Sequence, residues 1–213
     1  GIPTITAFPP TGAHGRQVPD PVVGACARAD VYFLPTSWSM THTDARIAAQ
    51  QSGARGSTMC EVTEDCLAAG GILADFEAAD KLARKIGKLL EGATDIRMTT
   101  PAGTDMRAKI SNRPVQYETG LFREPGQFGA LPNSEVNISP VEGTTEGVFI
   151  GDVRLMGYGV IRSEPVTIEV KDGEVSTISG GDGAEYLERT LASFGDRSAY
   201  NLAEFAVGLN PEA

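Results

Sequence analysis

Residues 30–60 read DVYFLPTSWSMTHTDARIAAQQSGARGSTMC, and this stretch decides the class of fold. Residues 31–35 form a continuous apolar run, which is typical of a strand buried in a parallel sheet. A helix is predicted from about Thr43, with Gly53 as its C-cap, and a second strand over residues 55–59. This alternation of strand and helix predicts an open, mainly parallel α/β sheet.

The flanking residues extend the same alternation. Asp20 and Pro21 are typical of the first turn of a helix, which continues through VVGACARA. Residues 75–90 carry an apolar stripe at helical spacing, with Asp75 as N-cap and Gly92 after the end. Residues 1–92 are therefore predicted to form an α/β domain with helices flanking its sheet.

The pattern changes to short strands separated by turns after Gly92. Asp172 and Gly173 lie at the centre of a strong hairpin signal. Two short helices are predicted over residues 183–195 and 199–208. Residues 93–213 are thus predicted to form a mostly antiparallel, β-rich α+β domain. The predicted strands fall at residues 95–100, 103–110, 114–118, 135–140, 147–161 and 165–180.

Composition excludes several classes of partner. The 213 residues are 41% hydrophobic and 22% charged, which suits a globular protein with a sizeable core. A formal net charge of −10 opposes binding to nucleic acid or to anionic membrane surfaces. No apolar run approaches the roughly 20 residues that span a bilayer, and no signal-peptide pattern is seen. A cytoplasmic protein is therefore predicted.

Three cysteines without a Cys-x-x-Cys pair predict neither a disulfide framework nor a structural zinc site. Cys26 and Cys66 are predicted to be small core residues, while Cys60 follows a strand and is either an inert or a reactive thiol. Serine hydrolase, dinucleotide and nucleotide triphosphate motifs are all absent from the sequence.

The chain has only two histidines. His14 lies in a glycine-rich loop and is predicted to be solvated. His42 follows a predicted parallel strand, so it should lie at the carboxyl edge of the sheet, where clefts form in open α/β folds. The alternative is that Thr41 or Thr43 caps a helix and His42 is simply exposed.

Two carboxylates stand out from the many that must be solvated. Glu135 opens a short strand within LPNSEVNISPVEGTTEG, residues 131–147, where rigid backbone could hold a metal ligand or a general base. Glu204 lies in the mostly apolar run 202–208, where a buried charge would need a partner or a metal. The alternatives are an edge-strand glutamate in water and the exposed face of an amphipathic helix.

With these residues in hand, the chain resembles the superfamily that joins the aminopeptidase T metallopeptidases with the dihydroxypyridine ring-cleaving dioxygenases. The resemblance covers nearly the whole length in six segments that follow one another in the same order. These segments are SMTHTDAR (39–46), TTPAGTD (99–105), EPGQF (124–128), SEVNISPVEGTTEG (134–147), GDGAEYLERTLASFGD (181–196) and AEFAVGLNP (203–211).

The resemblance implies different chemistry in the two branches. In the peptidase branch, Glu135 and Glu204 would be ligands of a two-metal centre holding zinc, cobalt or manganese. Dioxygenase members have a histidine iron ligand in place of Glu204 and an apolar residue in place of Glu135, and they place a catalytic histidine where His42 stands.

The favoured hypothesis is a metal-dependent hydrolase of the leucyl aminopeptidase type, with Glu135 and Glu204 as metal ligands and His42 as a catalytic residue acting on a small-molecule or peptide substrate. The alternative is a mononuclear non-haem iron(II) dioxygenase that cleaves a dihydroxylated pyridine-like ring. A third hypothesis is an incomplete fragment or scaffold, because family members continue past GLNP into a tail with further metal ligands. The resemblance also implies a homo-oligomer.

Overall fold

The computed structural model describes residues 1–162 and 164–213, and these residues form a mixed α/β fold, as predicted. The α-helices are α1 (Asp20–Cys26), α2 (Asp44–Gln51), α3 (Glu64–Ala68), α4 (Phe76–Glu91) and α5 (Asp182–Ser193). The strands of the first half are β1 (Val31–Thr36), β2 (Arg55–Cys60), β3 (Asp95–Thr99), β4 (Asp105–Lys109) and β5 (Val115–Glu118). The remaining strands are β6 (Phe128–Ala130), β7 (Glu135–Ile138), β8 (Glu146–Gly151), β9 (Arg154–Leu155), β10 (Gly159–Val160), β11 (Val166–Lys171), β12 (Glu174–Ser179) and β13 (Phe205–Gly208).

The chain forms two compact units, each assembled from separate segments. The first unit contains residues 1–87, 116–136 and 207–213, and the second contains residues 88–115 and 137–206. The predicted division into domains 1–92 and 93–213 stays a prediction.

A parallel sheet of order β1-β2-β6 organises the first unit. The central strand β2 is buried along most of its length, and Gly56 lies opposite Tyr32 of β1. Helices α1 and α2 contribute small residues to the core beside the sheet. This core contains Val18, Val22, Cys26, Tyr32, Met40, Ala45, Ala49 and Ala54.

Strand β1 is half-buried, which corrects the prediction of a fully buried apolar strand. Tyr32 is 6% exposed, whereas Val31 and Phe33 on the opposite face are 47% and 58% exposed. The apolar run of β1 is therefore covered on one face only.

The five-stranded sheet of the second unit has the order β12-β11-β8-β4-β3 and is antiparallel throughout, as the sequence predicted. The predicted hairpin joins β11 to β12, and Asp172 and Gly173 both have positive φ, which a type I′ hairpin turn requires. A second core fills this unit. Its buried members are Met106, Ala108, Ile110, Ile138, Val170 and Phe205.

Helix α4 agrees closely with its prediction. The Asp75 side chain accepts a hydrogen bond from the Ala78 amide at 3.0 Å, which satisfies one of the unpaired N–H groups of the first turn. α4 has 16 residues and is the longest of the described helices. None of the helices in the described part of the chain is long and apolar enough to cross a membrane.

The predicted helix over residues 199–208 is wrong. Arg197–Tyr200 form a 3₁₀ helix, capped by Asp196, whose carboxylate accepts from the Ser198 amide at 2.8 Å. Strand β13 then joins a sheet of order β13-β7-β5. Local helix propensity in LAEFAV is overridden by strand pairing, and Glu204 lies outside regular secondary structure, directly before β13.

Two short helical segments, α3 and a 3₁₀ helix at Gly70–Leu73, lie between β2 and α4. A helical stretch around Cys66 was expected, whereas the 3₁₀ helix was not predicted. Cys66 on α3 is exposed, which corrects its assignment to the core, whereas Cys26 is buried as predicted.

Candidate functional site

The carboxyl ends of β1 and β2 meet at one edge of the parallel sheet, where open α/β folds form their ligand clefts. The last residues of these strands are Thr36 and Cys60. A cavity of about 500 Å³ opens at this edge. It is lined by Pro35, Thr36, Ser37, Trp38, Glu61 and Val62. The edge is therefore the natural candidate site of the first unit.

A chain of hydroxyl groups holds the loop between β1 and α2, residues 37–43. Ser39 Oγ donates to Thr41 Oγ1 at 2.9 Å, and Thr41 Oγ1 lies 3.2 Å from the buried Thr58 Oγ1 of β2. At the end of the loop, Thr43 Oγ1 donates to the Met40 carbonyl oxygen at 2.8 Å. These bonds tie the loop to the central strand and to the start of α2.

His14 holds the same loop from the other side. Its Nδ1 accepts a hydrogen bond from the Ser39 amide at 3.0 Å, and the neighbouring Gly15 amide donates to the Ser39 carbonyl oxygen at 2.9 Å. The imidazole also meets Trp38 edge-on, with ring centroids 5.0 Å apart. His14 is exposed, as predicted, yet it has two partners that the sequence did not indicate, and these lie 24 and 25 residues away along the chain.

Cys60 lies beside the imidazole without forming a nucleophile–base pair. Its Sγ is 3.8 Å from His14 Nδ1 and 3.8 Å from the Ser37 carbonyl oxygen. Nδ1 has a single lone pair, which the Ser39 amide occupies, so the ring is poorly placed to take the thiol proton. The contacts favour the inert thiol over the reactive one.

Arg46 of α2 connects the loop to strand β6. Its Nε donates to the Thr41 carbonyl oxygen at 2.7 Å, and its guanidinium carbon lies 4.8 Å from the centroid of the Phe128 ring. Its Nη1 also donates to Gln50. Burial raises the pKa of the nearby Tyr32 phenol, and the positive charge of Arg46 acts in the opposite direction.

His42 lies where the sequence placed it, on the loop after β1. It is exposed and directly precedes Thr43, the N-cap residue of α2. This placement exposes the imidazole to solvent, and His42 is not among the residues that line the cavity. Its catalytic role stays a prediction.

The two predicted metal ligands fall in different units. Glu135 is the first residue of β7, as predicted, and it is partly buried and belongs to the first unit. Glu204 is exposed and belongs to the second unit. Both carboxylates have interaction partners. Their role as metal ligands stays a prediction.

Across residues 1–162 and 164–213, no group of three or more His, Cys, Asp or Glu side chains is arranged to hold a metal ion. Structural and catalytic metal sites normally use at least three protein ligands. The described residues therefore do not form a complete metal centre.

Sequence reasoning missed the residues that shape the loop. Ser39 and Thr58 were not singled out, Thr41 was considered only as a helix cap, and His14 was assigned to solvent. A usable signal was present in TSWSMTHT, residues 36–43, where five of eight residues carry hydroxyl groups directly after a strand. Such side chains bond to nearby backbone and so are favoured in turns and at helix caps.

Comparison with known proteins gives a family match over most of the chain. The sequence profile of the family described as NicX, 2,5-dihydroxypyridine 5,6-dioxygenase, matches residues 10–213. A curated 2,5-dihydroxypyridine 5,6-dioxygenase of Pseudomonas putida KT2440 is 31% identical over 128 residues, which make up 59% of this chain and 36% of that protein.

Two solved structures share the fold. A 2,5-dihydroxypyridine dioxygenase from Pseudomonas putida KT2440 superimposes with a TM-score of 0.74 at 26% identity, covering 90% of this chain and 54% of that one. Wild-type AmpT from Thermus thermophilus superimposes with a TM-score of 0.64 at 15% identity, covering 89% and 58%. This chain thus spans little more than half the length of either solved relative.

Proposed function

The chain belongs to the NicX family, described as 2,5-dihydroxypyridine 5,6-dioxygenase, and from that premise we propose that it acts as a dioxygenase, which cleaves the ring of a dihydroxylated pyridine-like aromatic. The observation that carries the proposal is the family match over residues 10–213. The hydrolase hypothesis has weaker support, because the 15% identity to AmpT establishes a common fold and nothing about the reaction.

Iron(II) is the cofactor that this chemistry implies, and when bound it would supply the activation of dioxygen. The described residues do not fit a complete iron site. His14 uses its Nδ1 to accept the Ser39 amide, and no set of three ligands is found in the described part of the chain. Iron binding therefore requires ligands in addition to these residues.

The carboxyl edge supplies two features that suit a hydroxylated aromatic substrate. Trp38 lines the cavity and offers an aromatic wall, against which a flat ring can stack. His42 lies on the same loop, and histidine is the side chain best suited to exchange protons near neutral pH. We propose that His42 takes the proton of a ring hydroxyl and so makes the ring more electron-rich.

The test is oxygen uptake with 2,5-dihydroxypyridine in the presence of ferrous ion, compared between the wild type and its His42→Gln variant. We expect turnover in the wild type and a fall in kcat of about 10²- to 10⁴-fold in the variant, which is the usual contribution of a general base. Glu188→Gln, which changes an exposed carboxylate on α5, is the control and should leave kcat unchanged.

A parallel assay separates the competing hypotheses. Hydrolysis of a leucyl anilide with zinc, cobalt or manganese, lost on replacing Glu204 with Ala and unaccompanied by oxygen uptake, would favour the aminopeptidase-type hydrolase instead. Absence of both activities would favour the scaffold hypothesis. Assembly into a homo-oligomer is a further proposal that rests on the family resemblance.

A further inference from the structure

We propose that His14 is a positioning residue, which fixes the loop carrying His42 by accepting a hydrogen bond at Nδ1. The inference rests on the proposed function, in which His42 exchanges protons with the substrate. His14 itself would touch neither substrate nor cofactor. It would act through Ser39, three residues before His42 in the chain.

Two hydrogen bonds attach Ser39 to the glycine-rich loop, so they fix the orientation of Ser39 as well as its position. The Ser39 amide donates to His14 Nδ1 at 3.0 Å, and the Ser39 carbonyl oxygen accepts from the Gly15 amide at 2.9 Å. Both polar groups of one peptide segment are thus engaged by consecutive residues of the glycine-rich loop. Edge-to-face contact with Trp38 fixes the plane of the imidazole that provides the acceptor.

The hydrogen bond to Nδ1 requires one form of the ring. Nδ1 can accept only when it carries no proton, so His14 must be neutral with its proton on Nε2. Protonation would place an N–H group opposite the Ser39 N–H and remove the bond. Cys60 is the titratable side chain seen against the ring, and Arg16 of the same loop donates to the Thr11 carbonyl oxygen.

This requirement suggests a matched pair of variants. In asparagine, Oδ1 is separated from Cβ by the same number of bonds as Nδ1 of histidine, and it accepts hydrogen bonds at any pH between 5 and 8. His14→Asn should therefore keep the anchor without titrating. His14→Ala removes the acceptor and leaves the rest of the loop unchanged.

The experiment measures exchange of the Ser39 amide, the His14 tautomer and steady-state kinetics in wild type and both variants. At pH 7.5 we expect the Nε2–H tautomer by nitrogen NMR, and exchange about 2- to 10-fold faster in His14→Ala, as loss of one hydrogen bond predicts. In His14→Asn, the Ser39 amide should exchange at the same rate as in the wild type.

Turnover of 2,5-dihydroxypyridine should follow the same order. A small misplacement of a reacting group costs up to about 100-fold in rate, so kcat should fall about 10- to 100-fold in His14→Ala and recover in His14→Asn. KM should change much less than kcat, because His14 touches no substrate.

Four results would overturn the inference or the function on which it rests. A proton on Nδ1, or unchanged Ser39 exchange in His14→Ala, refutes the anchor, and the tautomer measurement needs no variant to fold. Fast exchange with normal kcat in His14→Ala refutes the positioning role. If the wild type takes up no oxygen although Ser39 exchange behaves as expected, the proposed function fails and the anchor stands.

Discussion

In the first unit, an ideal Cβ atom built on Gly56 would lie 1.9 Å from the carbonyl oxygen of Tyr32 and 2.8 Å from its carbon. Both obstacles are backbone atoms of the neighbouring strand, so they cannot move away without breaking the β1–β2 ladder. We expect Gly56→Ala to lower the free energy of unfolding by about 3 kcal/mol or more, measured by urea denaturation.

Gly24→Ala in α1 is the matched control. Nothing lies within 4 Å of a Cβ atom at Gly24, and alanine is favoured over glycine inside a helix by roughly 0.5–1 kcal/mol. This variant should be neutral or slightly stabilising. Equal stabilities for the two variants would contradict the close strand approach at Gly56.

At the scale of single residues, the sequence predicted the features that depend on neighbouring residues, such as helix ends. It missed the contacts between residues that are far apart in the chain. Thr43 as the start of α2 and Gly53 at its end follow from local propensities, and Gly53 does have φ of 88°. The partners of His14 lie 24, 25 and 46 residues away. No local pattern encodes such pairings, so the loop anchor could be found only in three dimensions.

At the scale of elements, strands β3 and β4 are linked by an ion pair between Arg97 and Asp105. Two parallel hydrogen bonds of 2.8 Å join the guanidinium to the carboxylate. The hydrogen bond from Arg97 holds the pKa of Asp105 below its ordinary value. The pair therefore stabilises the fold fully above the unfolded pKa of aspartate, about 3.9, and the stabilisation is lost as the pH falls through the lower folded value.

We expect Arg97→Gln to lower the urea midpoint slightly at pH 7 and to leave it unchanged near pH 2, where Asp105 is protonated in either state. The effect should be small and should shrink in high salt, because both side chains are more than half exposed. Arg28→Gln removes an exposed arginine with no ion pair seen in the described residues, and its effect should not depend on pH in this way. If Arg97→Gln lowered the urea midpoint by the same amount at pH 7 and near pH 2, the stabilising ion pair between Arg97 and Asp105 would be contradicted.

Whether a segment is a helix or a strand was predictable where the hydrophobic pattern extends over many residues or where the turn residues are specific. α4 and the β11–β12 hairpin satisfy these conditions. β6 has 3 residues, too few to show a period. β13 has 4 residues in a segment of good helix formers, and only pairing within the β13-β7-β5 sheet makes it a strand.

At the scale of the whole molecule, the chain alternates between two units. It changes unit after residues 87, 115, 136 and 206. A change of composition near Gly92 marks where helices give way to strands, but composition does not show that later segments return to the first unit. The same holds for the predicted metal ligands. Glu135 and Glu204 stand out in the sequence, but the sequence does not show that they belong to different units.

The return of residues 116–136 to the first unit gives a direct test of a domain boundary at residue 92. A fragment of residues 1–92 would lack β6, which pairs with the central strand β2, and the Leu131 amide, which donates to Ser57 Oγ at 2.8 Å. It would also lack Asn210, whose side-chain amide donates to the carbonyl oxygens of Gly71 and Pro132 at 2.9 and 2.7 Å.

We therefore expect the fragment 1–92 to show no cooperative thermal transition by circular dichroism, while the whole chain unfolds cooperatively. Phe128→Ala in the whole chain is the companion variant. It removes only the ring that packs against the first core, so it should weaken the fold by less than the roughly 3–5 kcal/mol that truncating a fully buried phenylalanine costs. A fragment that melts cooperatively at the temperature of the whole chain would establish residues 1–92 as an autonomous domain. In that case the first unit would fold without β6 and without residues 207–213.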